Sequence, residues 1–251
     1  VYDLALSPEN SAQLFLATQQ GLFQSLDGGR NWKRPLDWPQ KEPVEFVAFL
    51  SFDRSLLLMG TERELFFSKD DGHSFESGFS LSPRTEEESD VFEFEEEVVS
   101  FAVRFSSAAY SSKHSSLWVG TSEGVYESRD AGVTWAKLSE SGLEDKRIDD
   151  LAYSEKSGTL FAATPRGVFH FHPAKKSWQR IEAGLAHAPV SLALQISGSG
   201  EEKLLIAAGN SIYEWALPQP GMESPSFFVP SPERIELFKK LISLEPNARE
   251  I

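Results

Sequence analysis

A chain of 251 residues with 38 acidic and 24 basic side chains can hold one large domain, and its net charge of −14 opposes a phosphate backbone. It has no cysteine, which excludes disulfides and thiolate metal sites, and no apolar run reaches the ~18 residues of a membrane-spanning helix. Its 19 Phe and 6 Trp supply large rings for packing one sheet on another.

Five apolar runs open five similar units: VYDLAL (1–6), VEFVAFL (44–50), VVSFAVRF (98–105), IDDLAY (148–153) and VSLALQI (190–196). A second run follows each: LFLA (14–17), LLLM (56–59), LWVG (117–120), LFAA (160–163) and LLIA (204–207). The third runs are GLFQS, ELFFS, GVYES, GVFHF and SIYEW. Such near-continuous apolar stretches predict strands buried on both faces. The units lie at roughly 1–37, 44–80, 98–139, 147–182 and 189–217, with 1–217 read as one domain. The fifth lacks a clear fourth strand, for which SFFV at 226–229 is the candidate.

An insertion, LSPRTEEESDVFEFEEE at 81–97, separates units two and three. It carries Glu86, Glu87, Glu88, Asp90, Glu93, Glu95, Glu96 and Glu97 against one cation, Arg84, with Phe92 and Phe94 among them. It reads as a docking loop for a basic partner, a loose Ca²⁺ site, or a solvated loop whose charges repel. Residues 218–231 are Pro-rich and predict a linker. Residues 232–251 predict a helical segment: Ser231 caps it, Pro232 opens it, and Ile235, Phe238, Leu241 and Ile242 form its apolar stripe. The chain starts inside a strand without an initiator Met, so it is expected to be a mature or excised piece whose helical end continues further.

After the third run of the first four units sits a repeated turn, of which the fifth unit has no clear copy. It is Ser25-x-Asp27-x-Gly29 before Trp32, Ser68-x-Asp70-x-Gly72 before Phe75, and Ser128-x-Asp130-x-Gly132 before Trp135. A turn Asp accepts hydrogen bonds from unpaired backbone N–H groups. Gly takes φ > 0 without steric cost, and the aromatic ring anchors the turn on a neighbouring sheet. A worn copy at 167–178 has Phe171, Pro173 and Lys175 in place of Ser, Asp and Gly, and keeps Trp178. Trp32 to Phe75 spans 43 residues, Phe75 to Trp135 spans 60, and Trp135 to Trp178 spans 43. A period near forty with about four short strands predicts an all-β propeller of four-stranded antiparallel blades, about five in this chain.

On these residues the chain resembles the Asp-box (BNR) repeat propellers, which include photosystem II assembly factors, sortilin ectodomains, sialidases and some endoglucanases. The resemblance covers most of 1–217 and implies a structural role for the box residues. Box density places the assembly-factor family nearest in style. A sialidase site would need an arginine trio, a Tyr–Glu pair and an Asp; Arg104, Arg147, Arg166, Arg180, Tyr126 and Tyr153 are present, but no spacing assembles them. Asp149 and Asp150 are neighbours on an inner strand, which predicts opposite facing. His170 and His172 share a strand face without an evident third metal ligand.

The expectation is a non-enzymatic protein-binding or assembly scaffold in a bacterial cell envelope, periplasmic or secreted. It needs no cofactor, binds protein partners through one face and the 81–97 loop, and neither binds nucleic acid nor inserts into a membrane. The alternative is a carbohydrate-active protein, a glycosidase or a glycan-binding module.

Overall fold

In the computed structural model, residues 1–36, 38, 42–51, 55–80, 103–181, 185, 187–196 and 202–217 are described. The acidic loop at 81–97, the linker, the 232–251 segment and the 226–229 run all lie outside them. The described residues form eighteen strands and no helix. No helix among them is long and apolar enough to cross a membrane.

Blade 1 holds β1 (Asp3–Leu6), β2 (Leu14–Thr18) and β3 (Gly21–Ser25). Blade 2 holds β4 (Val44–Ser51), β5 (Ser55–Thr61), β6 (Glu64–Ser68) and β7 (Glu76–Ser80). Blade 3 holds β8 (Phe105–Ser111), β9 (Ser116–Thr121), β10 (Gly124–Ser128) and β11 (Ala136–Lys137). Blade 4 holds β12 (Asp150–Ser154), β13 (Thr159–Thr164), β14 (Gly167–His172) and β15 (Ser177–Arg180). Blade 5 holds β16 (Pro189–Ile196), β17 (Glu202–Ala208) and β18 (Ser211–Ala216). Within each blade, sequential strands pair antiparallel in chain order. In blade 1 the fourth position is a single bridge, Gln24 to Lys33.

The five sheets make a β-propeller because their central strands are apolar on both faces. Along β4 and β5, Val47, Leu57 and Met59 pack toward blade 1, while Phe46 and Leu58 pack toward blade 3. Four core clusters join blades 1–2, 2–3, 3–4 and 4–5 in turn. None among the described residues joins blade 5 to blade 1, and Leu4 and Leu6 on β1 are 45% and 57% exposed.

The inner strand of blade 3 differs from expectation. It is not the apolar run 98–105 but the small-residue stretch after it, FSSAAYS. Its alternation of buried Phe105, Ser107, Ala109 and Ser111 matches the register Phe105↔Thr121. Small side chains suit the crowded inner position, which the apolar count of 98–105 did not reveal.

A second recurring device closes the β2–β3 type hairpins. The hydroxyls of Thr18, Thr61, Thr121 and Thr164 donate to the carbonyls of Gly21, Glu64, Gly124 and Gly167. They also accept the backbone N–H two residues on, from Gln20, Arg63, Glu123 and Arg166.

Glycine is required where a turn lies on the preceding blade. Gly72 has φ +82°, and a Cβ there would come 2.3 Å from the Phe15 ring of blade 1. Gly28 has φ +72°, with nothing within 4 Å of the same position. Gly28→Ala should therefore cost about 1 kcal/mol, from backbone strain alone. Gly72→Ala should cost about 3 kcal/mol, since overpacking adds to the strain. Urea denaturation of the two variants checks this, and equal costs would contradict the packing.

Candidate functional site

Two groups of carboxylates compete for a functional reading. The first sits in the repeated turn. In blade 3, Ser128 Oγ donates to Asp130 Oδ1 at 2.9 Å and accepts the Gly132 N–H at 2.8 Å. Asp130 then accepts the Thr134 N–H at 2.8 Å and the Thr134 hydroxyl at 2.5 Å. Blade 1 repeats this: Ser25 Oγ lies 2.8 Å from Asp27 Oδ1 and 2.9 Å from Gly29 N, and Asn31 donates twice to Asp27. In blade 2, Ser68 Oγ lies 2.7 Å from Asp70 Oδ1 and 2.8 Å from Gly72 N, and Ser74 donates twice to Asp70. All three serines are buried.

The aromatic anchors reach the neighbouring blade at Phe75 and Trp135, and two of the three also serve their own turns. Trp32, Phe75 and Trp135 are half-buried. The indole N–H groups of Trp32 and Trp135 donate to Gly29 O and Gly132 O, each at 3.0 Å, so the rings close their own turns. Trp135 also stacks on Phe79 of blade 2 at 5.3 Å, and Phe75 meets Trp38 of blade 1 edge-on at 5.1 Å.

The hydrogen bonds hold these carboxyls low. Asn31 above all, with Ser25, brings Asp27 down to about 2. Burial would raise Asp70, but donors from Ser74, Ser68 and His73 outweigh it and bring it to about 2. The Thr134 hydroxyl and N–H lower Asp130. Each carboxylate is consumed in the turn of its own blade.

The second group lies at the axis. The inner strands bring Asp3, Glu45, Ser107, Asp149, Asp150 and Ser191 around a cavity of 230 Å³. Asp3 Oδ2 accepts the Val47 N–H of blade 2 at 3.1 Å, and Asp150 Oδ2 accepts the Leu192 N–H of blade 5 at 2.7 Å. The two aspartates are equivalent, since Asp3 pairs with Ala17 and Asp150 with Ala163 in the same register. They stitch one blade to the next. Burial drives Asp150 up to about 6 against the pull of Leu192, Ser191 and Leu151, and the charge of Asp3 adds to the rise. Burial also raises Asp3 and Glu45. Asp149 and Asp150 both line the cavity, but their carboxylates take different partners: Asp149 pairs with Arg147, and Asp150 accepts from the Ser191 hydroxyl and the Leu192 N–H. Asp3 was missed in the sequence, although Asp-Leu-Ala recurs at 3–5 and 150–152 and marks both positions.

The remaining candidates stay apart. Arg104 pairs with Glu62 and Glu45, Arg147 with Asp149, and Arg180 with Glu144. Tyr153 stacks on Trp118 at 4.7 Å. The His170 and His172 rings sit 4.7 Å apart, and burial, aided by the His172 charge, lowers His170 to about 4. Among the described residues, no three His, Asp or Glu side chains gather as a metal site.

No family model matches the chain, and no curated protein matches it by sequence. Its fold is similar to several solved propellers. The GH74 xyloglucanase from Xanthomonas campestris aligns with TM-score 0.62 at 17% identity, over 88% of this chain and 37% of that one. YCF48 from Cyanidioschyzon merolae aligns with TM-score 0.58 at 14% identity, over 91% of this chain and 70% of that one. A structure of YCF48 bound to D1 peptide aligns with TM-score 0.53 at 14% identity, over 88% and 64%. The extracellular domain of a putative one-component system from B. thetaiotaomicron aligns with TM-score 0.57 at 12% identity, over 91% and 35%. The chain spans about a third of the length of the GH74 enzymes. Likeness at such identity establishes the fold and no more.

Two measurements probe these carboxylates. Ser128→Ala strands the buried Gly132 N–H and should cost about 1–3 kcal/mol, and Trp135→Phe, which loses the indole bond to Gly132 O and part of the stack on Phe79, should cost about 1–2 kcal/mol in chemical denaturation. The pH dependence has two opposite signs. Asp27 and Asp70 are depressed on folding, so their stabilisation is present above about 4 and lost as pH falls toward 2. Asp150 is raised on folding, so its contribution is full below 3.8 and lost as pH rises to about 6. Urea midpoints between pH 4 and 6 should therefore fall less steeply in Asp150→Asn than in the wild type.

Proposed function

We propose that this chain is a non-enzymatic protein-binding or assembly scaffold built on Asp-box repeats. The observation that carries it is the fate of the carboxylates. Asp27, Asp70 and Asp130 are each bound by the hydroxyl, amide and backbone donors of their own turns. Asp3 and Asp150 are bound to the backbone of the next blade. Groups used in this way hold a platform together and present its faces. The likeness to YCF48, a propeller also seen bound to D1 peptide, supports the reading. Likeness to an extracellular propeller domain supports placing it in the cell envelope or outside the cell.

The contact surface in this reading is one propeller face with the acidic 81–97 loop, including Glu86–Glu88, Phe92 and Phe94, meeting a basic partner. A pull-down from native extract should recover a protein partner. Deletion of residues 86–97 should weaken that capture and leave the melting temperature within a few degrees. Recovery of no partner counts against the scaffold, and unchanged capture removes the loop from it.

The second reading, a carbohydrate-active protein, rests on one observation. Asp150, raised to about 6, lines the axial cavity with Glu45 and Asp149, and a carboxyl raised by burial beside other carboxyls is the kind of group that glycoside hydrolysis uses as its acid. A panel of fluorogenic glycosides and a glycan array separate the readings. Turnover that disappears in Asp150→Asn would favour the second.

A further inference from the structure

The worn fourth turn has a structural consequence. At the first two interfaces an intact turn seats on the preceding blade: Gly72 lies against Phe15, and Gly132 against Phe67. Gln13 of blade 1 reinforces the first contact by donating to Asp71 O at 2.6 Å. At the third interface Phe171, Pro173 and Lys175 stand where Ser, Asp and Gly stand elsewhere. Trp178 no longer closes its own turn, and its indole N–H donates instead to Ser139 O of blade 3 at 2.9 Å. A cleft of 530 Å³ remains between blades 3 and 4, within the ~300–1,000 Å³ range of ligand sites.

Its lining is uneven in chemistry. Trp118 and Tyr153, stacked on each other, join Phe171 and Leu138 as an apolar floor. Arg129, Lys137 and Lys176 stand around it against one carboxylate, Glu127. Glu127 is already paired with Arg129 at 3.1 Å, and Lys137 is paired with Glu140. Lys176 is exposed and takes no acidic partner among the described residues. With Glu140 counted beside Glu127, the cations around the aromatic floor exceed the carboxylates by one, and Lys176 is the cation left over on a chain of net charge −14. The complementary ligand is apolar at its centre and anionic at its flanks.

We propose that the cleft between blades 3 and 4 docks an extended acidic peptide segment of a partner protein, with an aromatic or large aliphatic side chain on the Trp118–Tyr153–Phe171 floor and carboxylates facing Arg129 and Lys176. The inference rests on the scaffold reading and adds a contact of opposite charge to the 81–97 loop.

The test is fluorescence anisotropy with a labelled pentapeptide, one phenylalanine flanked by two glutamates on each side. The intact chain should bind it, and binding should weaken as salt rises. Lys176→Glu, an exposed change that leaves the melting temperature unaltered, should weaken binding about tenfold. Replacing the peptide's phenylalanine by alanine, or its glutamates by lysines, should abolish it. Equal binding of the lysine peptide, or no loss in Lys176→Glu, overturns the proposal. Failure of the glutamate peptide while the pull-down still recovers a partner overturns this inference alone. Neutral oligosaccharide bound in place of the peptide overturns both it and the scaffold reading.

Discussion

Every central sheet in this molecule must bury two faces. Leu57 and Met59 on β5 pack one way and Leu58 packs the other, and all three are fully buried. A lone hairpin or a two-layer sandwich would leave one of these rows in water, at roughly 25 cal/mol for each Å² of apolar surface. Stacking sheet on sheet satisfies both rows. The right-handed twist of each sheet then turns the stack around an axis. Inner-strand crowding and the seating of the turns on adjacent blades follow from that stacking.

The same carboxylate chemistry serves opposite ends of the blade. At the outer turn, aspartates remain near water and gather several donors, so ionisation is favoured and they sit low. At the axis, aspartates accept backbone donors from the next blade, but removal from water outweighs the bonds, and Asp3 and Asp150 are pushed up. The outer set stabilises turns and the inner set ties blades together. Ser111 with Glu155 and Ser154 with Glu202 add ties at the far end of the inner strands. The polar groups thus follow the stacking order as closely as the core does.

Repetition also makes its exceptions informative. Three turns keep Ser, Asp and Gly, and the two of them at blade interfaces with a preceding sheet rest on Phe15 and Phe67. The fourth has lost all three residues, and its tryptophan bonds across to blade 3 instead of closing its own loop. A change confined to one turn thereby alters a whole interface, since that turn is what fills the space between adjacent blades.

The propeller was legible because its evidence is local and repeated: Ser, Asp and Gly two residues apart, then an aromatic ring, recurring near every forty residues. Those short-range contacts form inside one hairpin, so the chain order of residues such as 128–135 carries them. Which stretch lies innermost in blade 3 was not legible, because the apolar count of 98–105 says nothing about room at the axis, where Ser107 and Ala109 fit. The axial carboxylates and the cleft of blade 4 were hidden for a related reason. Asp3 meets Val47 across 44 positions and Asp150 meets Leu192 across 42, so neither bond has a local signature. Residue order decides how each hairpin turns and which side chains are apolar. Stacking of the blades alone decides which carboxylates lose their water and where a turn fails to fill its gap, since burial depends on what arrives from another sheet.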